Sequence, residues 1–188
     1  RLLQPTDLPQ LAGQLHGPDR AAAVHRRGGT DRPRSDVRDV GALAAAGVAE
    51  PGANWTWADL RAAAAKFRNA ETKTYGFAVD AKPDPFDFEQ FFWSNGTRYI
   101  SDDGKMLEGY MNSPEAVEVL TMFADMIKAE EAVALNIGDD TPGSSLFKAG
   151  QIAMFQSAMW SKTGIDESGI NYGVAPLPAF GDKPVHSV

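Results

Sequence analysis

A chain of 188 residues, 43 % hydrophobic and 10 % aromatic, carries enough apolar side chain for one packed domain, or one and a fraction. Its formal charge of −7 and pI near 4.9 exclude a nucleic-acid partner, because neutralising phosphates needs a basic surface. The absence of cysteine excludes disulfides and thiolate chemistry, and three scattered histidines leave little for a zinc site, so neither a metal nor a cofactor is expected. No stretch reaches the roughly 18 apolar residues of a membrane span.

The chain divides by composition near residue 43. Seven arginines and no lysine fall before Ala44, and every aromatic residue lies at or after Trp55. The opening Arg1-Leu2-Leu3-Gln4-Pro5 lacks the apolar core of a secretory signal. The segment from His25 to Asp36 has neither helical nor strand periodicity, and its Gly, Pro and charge content predicts an irregular or disordered stretch. A basic tail for an acidic partner is one reading of it. The favoured reading is a frame-shifted translation of GC-rich coding sequence.

From residue 44 the pattern is orderly. Thr56 with Asp59 reads as a capping box opening a helix through about Phe67. Tyr75 to Val79 alternates as a strand, and Phe86 to Ser94 reads as a helix ending near Asn95-Gly96. Tyr99-Ile100 and Met106-Leu107 flank Asp102-Asp103-Gly104, a hairpin or tight-loop signal. Ser113 caps a helix with Pro114 at its first position, and Val117, Leu120, Phe123, Ala124 and Ile127 are its expected buried stripe. A short helix at 144–149, a strand from Ile152 to Phe155 and a second β-rich run from Ile170 to Ala175 complete an α/β alternation.

Three features bear on chemistry. A small-residue turn after Phe155 delivers Trp160, and an exposed indole there suits a carbohydrate ring, whose axial C–H groups pack on aromatic faces while its hydroxyls hydrogen-bond. The alternative is a core aromatic at a helix start. Phe88, Phe91 and Phe92 have core spacing. Asp80, Asp84, Asp87 and Glu89 lack the glycine and glutamate offsets of a calcium loop, and solvated acids account for them better than a glycosidase pair. Asn54-Trp55-Thr56 and Asn95-Gly96-Thr97 match the glycosylation sequon by chance.

Phe147-Lys148-Ala149-Gly150-Gln151-Ile152-Ala153-Met154, Trp160 and Asn171-Tyr172-Gly173-Val174-Ala175-Pro176-Leu177-Pro178 together resemble the extracellular solute-binding proteins of bacterial ABC sugar importers, of the maltose/maltodextrin type. Ala46-Gly47-Val48-Ala49-Glu50-Pro51, Thr56-Trp57-Ala58-Asp59-Leu60, Asp102-Asp103-Gly104-Lys105 and Asn112-Ser113-Pro114-Glu115-Ala116-Val117 occur in the family's order. The resemblance implies a periplasmic-binding-protein-like α/β fold, mostly the second lobe of two. Residues 1–43 would be a remnant of the first lobe or hinge, 44–178 the second lobe and 179–188 the return toward the hinge. It also implies a tyrosine-bearing strand just before Ala46-Gly47-Val48, where this chain has arginines and glycines.

The same resemblance implies substrate binding by Trp160, Phe86 and Asp84, with Trp93 and Asn95 as weaker candidates. Phe86 stands where a tyrosine is frequent, so ring stacking would be kept and a hydroxyl lost. Asp84 would accept hydrogen bonds from sugar hydroxyls, or else be a solvated loop carboxylate. The expected partners are a sugar or oligosaccharide and the transmembrane subunits of an ABC permease, with no nucleic acid. The protein is expected to be a monomer at the periplasmic or lipid-anchored cell-surface side of a bacterium. Because such proteins are exported, the missing signal suggests a truncated chain. The rival expectations are a carbohydrate-active hydrolase using acids near Asp84, and a structural fragment that binds nothing.

Overall fold

The computed structural model describes residues 35–39, 43, 47–49, 52, 54–80, 85–135, 142–157 and 159–186, with the backbone alone at 35–39, 80, 85–87 and 159. Its elements are β1 (Ser35–Asp39), α1 (Trp57–Phe67), β2 (Tyr75–Asp80), α2 (Pro85–Ser94), α3 (Pro114–Lys128), β3 (Ala132–Leu135), α4 (Gly143–Lys148), β4 (Ile152–Ser157), α5 (Lys162–Asp166) and β5 (Tyr172–Pro176). They form a mixed sheet in the order β3-β2-β4-β1-β5, packed by helices on both faces. β2 runs parallel to β3 and β4, whereas β1 is antiparallel to β4 and β5.

The local chemistry explains the helices. Thr56 and Asp59 exchange main-chain and side-chain hydrogen bonds, so the expected capping box opens α1. Ser113 Oγ accepts from Ala116 N at 3.1 Å, and Pro114 occupies the first position of α3, where a missing N–H costs nothing. Ser101 Oγ accepts from Lys105 and Met106 N, and Gly104 adopts φ +70°, so the Asp102-Asp103-Gly104 segment is a tight loop without flanking strands.

Alternation along β2 divides the core. Phe77 and Val79 face α1, α2 and α3, and Ala78 faces the layer containing Phe147 of α4 and Ile165 of α5. Trp57 is the hub of the first layer, meeting Phe77, Phe91 and Phe123 edge-on at centroid distances of 6.0, 5.4 and 5.3 Å. Phe91 and Phe92 are buried and Phe88 is half-buried against the same cluster, as their spacing predicts.

The stripe expected on α3 is corrected by one residue. Ala116, Val119, Phe123 and Met126 are buried, whereas Val117 is 53 % and Leu120 45 % exposed, and Ala124 is also exposed. Phe123 sets this rotation, because its ring packs against Trp57, Phe88 and Phe91. With Phe123 at the centre of the face and 100° per residue, Val117 lies about 120° away.

A second correction concerns the N-terminal segment. Ser35 and Asp36, expected to be irregular, belong to β1, which lies between two strands of residues 152–176. The polar run Ser-Asp-Val-Arg-Asp has no apolar alternation, and what holds it is main-chain pairing on both sides. The rest of that stretch, His25 to Arg34, lies outside the described residues.

The segment expected to return toward a hinge packs against α1 and the end of α2 through His186. Ala179 N and O bond to Trp55 O and Trp57 N at 3.0 Å each, and the Phe180 ring packs at a tilt of 38° against Trp57, with centroids 5.8 Å apart. Lys183 Nζ donates to Asn95 Oδ1 at 2.6 Å, and His186 N donates to Ser94 Oγ at 2.8 Å.

Candidate functional site

The parallel register places the ends of several strands on one edge of the sheet. Asp80 of β2 pairs with Leu135 of β3, and Ser35 pairs with both Ser157 of β4 and Pro176 of β5. The offset Phe77–Met154 brings Asp80 level with Ser157. From this edge leave the segments leading to α2 and α4, the turn that bears Trp160, and Leu177-Pro178. In α/β sheets the carboxyl ends of parallel strands are where ligands bind, because the connecting segments there can diverge and leave a crevice.

Trp160 lies in the one-turn 3-10 helix Met159–Ser161 directly after β4 and is 67 % exposed. It is therefore no core aromatic. Ser157 Oγ donates to Ser161 Oγ at 2.5 Å, bracketing the indole. In α5, Ile165 is buried, and the Asp166 carboxylate accepts from Lys162 Nζ and from the Tyr172 hydroxyl, the latter at 2.5 Å. The hydrogen bond from Lys162, and then that from Tyr172, lowers the Asp166 pKa below its ordinary value. Tyr172 is raised in turn by the carboxylate it donates to, and Lys162 is raised by its bond to Asp166.

Phe86 stands in the first turn of α2, on the backbone that leaves the same edge. The strand register brings to one edge Asp80, the last residue of β2 before α2, and Ser157, the last residue of β4 before the turn of Trp160; the ring of Phe86 and all of Asp84 lie outside the described residues. Trp93 is half-buried and follows Phe86 by seven positions, hence on the same face of α2 and roughly 10 Å along its axis. Asn95 lies in the interior. It is 1 % exposed, its Nδ2 donates to Glu115 O at 2.9 Å and to Glu118 Oε2 at 2.8 Å, and its Oδ1 receives Lys183. Those bonds make it a brace between α2, α3 and the C-terminal segment.

Spacing gave no hint of the Ser157–Ser161 and Asp166–Tyr172 contacts, since the second depends on where β5 lies beside α5. No His/Asp/Glu cluster able to hold a metal occurs among the described residues, and none of their helices is long and apolar enough to cross a membrane.

Comparison with known proteins adds an independent line. The profile of the family described as bacterial extracellular solute-binding protein matches residues 38–187 and so begins inside β1. A provisionally named binding protein of Brucella abortus (strain 2308) is 31 % identical over 141 residues, which are 71 % of this chain and 33 % of the relative. The chain thus spans about a third of the length of the curated relatives it matches. Among solved structures, the ABC substrate-binding protein of Listeria monocytogenes in complex with cycloalternan superposes with a TM-score of 0.71 at 26 % identity, over 81 % of this chain and 38 % of that one. The GacH receptor of Streptomyces glaucescens, solved unliganded and with acarbose, gives 0.66 at 24 % identity, over 89 % and 44 %.

Proposed function

The chain belongs to the bacterial extracellular solute-binding protein family, and from that premise we propose that it is most of the second lobe of a two-lobed receptor that captures a sugar or oligosaccharide for an ABC importer. The observation that carries the reading is Trp160, an open indole at the edge where the parallel strands end. An exposed aromatic face beside hydroxyls and carboxylates suits a polyhydroxylated ring. The Listeria protein's cycloalternan supports a carbohydrate ligand here as well.

In this reading Trp160 and Phe86 offer the stacking surfaces, Asp84 accepts from sugar hydroxyls, and Trp93 extends the apolar wall of α2. The first lobe supplies the opposing contacts. Ligand contacts on both lobes favour the closed state, and closure is what the transmembrane subunits of the permease read. The receptor works outside the membrane, periplasmic or lipid-anchored at the cell surface, as a monomer and without catalysis.

The test is calorimetry with cycloalternan on the whole receptor and on this chain. Trp160→Ala in the whole receptor is expected to lose roughly 1–3 kcal/mol of binding, the scale of one large aromatic contact. Its melting temperature should hold, because an open ring leaves no core cavity. Unchanged affinity would remove Trp160 from the site. Equal affinity in the isolated chain would refute capture between two lobes, and release of reducing sugar would favour the hydrolase.

A further inference from the structure

Trp160 rides on a three-residue turn that cannot hold itself. A single 3-10 turn has few internal bonds and poor hydrogen-bond geometry, and the five residues of α5 are far too few to be helical on their own strength. The indole itself is 67 % exposed. Two side-chain contacts flank the turn. On one side the largely buried Ser157, at the end of β4, donates to Ser161 at 2.5 Å, closing the chain around residue 160. On the other, Tyr172 of β5 donates to Asp166 at 2.5 Å, and Lys162 donates to the same carboxylate. A hydrogen bond to an ionised acceptor is about twice as strong as a neutral one. Ile165, buried in the layer with Phe147 and Phe155, supplies the apolar anchor of α5.

We propose that Ser157 and Tyr172 are positioning residues that hold the Trp160 indole in its ligand-ready orientation by clamping the turn and the helix on either side of it. This rests on the reading of Trp160 as the stacking surface for sugar. A platform fixed in advance spares the ligand the entropy of ordering it, so the clamps act on affinity while touching no ligand.

The chain is labelled with 5-fluorotryptophan, and Trp160→Phe assigns the Trp160 fluorine resonance. Ser157→Ala and Tyr172→Phe, each conservative in volume, are expected to shift and broaden that resonance and to leave those of Trp55 and Trp57 in place. If either variant lowers the melting temperature with the Trp160 resonance unmoved, these residues serve the fold alone and the proposal is overturned. In the whole receptor, Tyr172→Phe should weaken cycloalternan binding about three- to tenfold and have no effect in a Trp160→Ala background. Equal loss in both backgrounds would also overturn it. A Trp160→Ala receptor that binds normally would defeat the sugar reading instead, and the fluorine spectra would still decide whether the clamps position the ring.

Discussion

Gly76 is a position where the fold tolerates no side chain. A Cβ there would lie 2.1 Å from Ala64 Cα, so β2 and α1 meet backbone to backbone. Gly76→Ala must push the helix off the sheet, and a loss of at least about 2 kcal/mol is expected by urea denaturation, at the upper end of overpacking costs. Asn95 is the polar counterpart. Lys183→Met would leave its Oδ1 buried and without that donor, which should cost roughly 1–3 kcal/mol. Amide exchange at residues 180–186 should quicken in the same variant. Unchanged exchange there would mean that Phe180 and Ala179 hold the segment unaided.

At the scale of elements, the caps carry clear expectations. Ser113→Ala removes the acceptor for Ala116 N and should destabilise by about 1 kcal/mol in the urea midpoint. Asp59 is held below its ordinary pKa of 3.8, first by the Thr56 hydroxyl and then by the Thr56 amide. A depressed folded pKa contributes stability that is present above the unfolded value and lost as the pH falls through the folded one. Asp59→Asn should therefore flatten the acid side of the stability–pH curve, below about pH 4, and leave its shape at neutral pH unchanged.

These caps were legible in the sequence because their chemistry is local: Thr56 bonds to Asp59, and Ser113 bonds to Ala116 beside Pro114, each pair only 3 residues apart. What could not be read was set by distant partners. β3, Ala132–Leu135, is four residues long and follows Glu130 at φ +56°, a left-handed helix end whose side chain pairs with Arg68. β1 has no apolar rhythm, and the rotation of α3 waits on Phe123 finding Trp57. The site divides the same way. Trp160 announces itself as a lone aromatic after a strand, whereas the Tyr172 clamp exists only once β5 is in place, and Asn95 looks like a loop polar group until Lys183 arrives.

For the whole molecule the decisive feature is the placement of β1. Among the described residues β5 joins the sheet through β1 alone, so a variant lacking residues 1–40 has no such strand to carry β5. It should lose the single cooperative urea transition and expose the apolar layer of Ile165 and Phe155 to dye binding. A truncated chain that unfolds at the wild-type midpoint would refute that dependence.

The same placement governs time. A strand near residue 35 must wait for partners at 152–157 and 172–176. At ribosomal speeds of about 5–20 residues per second, those partners emerge roughly 6 to 28 seconds later. Until then β1 has no native neighbour, and the helical layer around Trp57 must form without a finished sheet beneath it. Pairings so distant in sequence fold slowly, which leaves the nascent chain a long interval in which a chaperone can hold it extended.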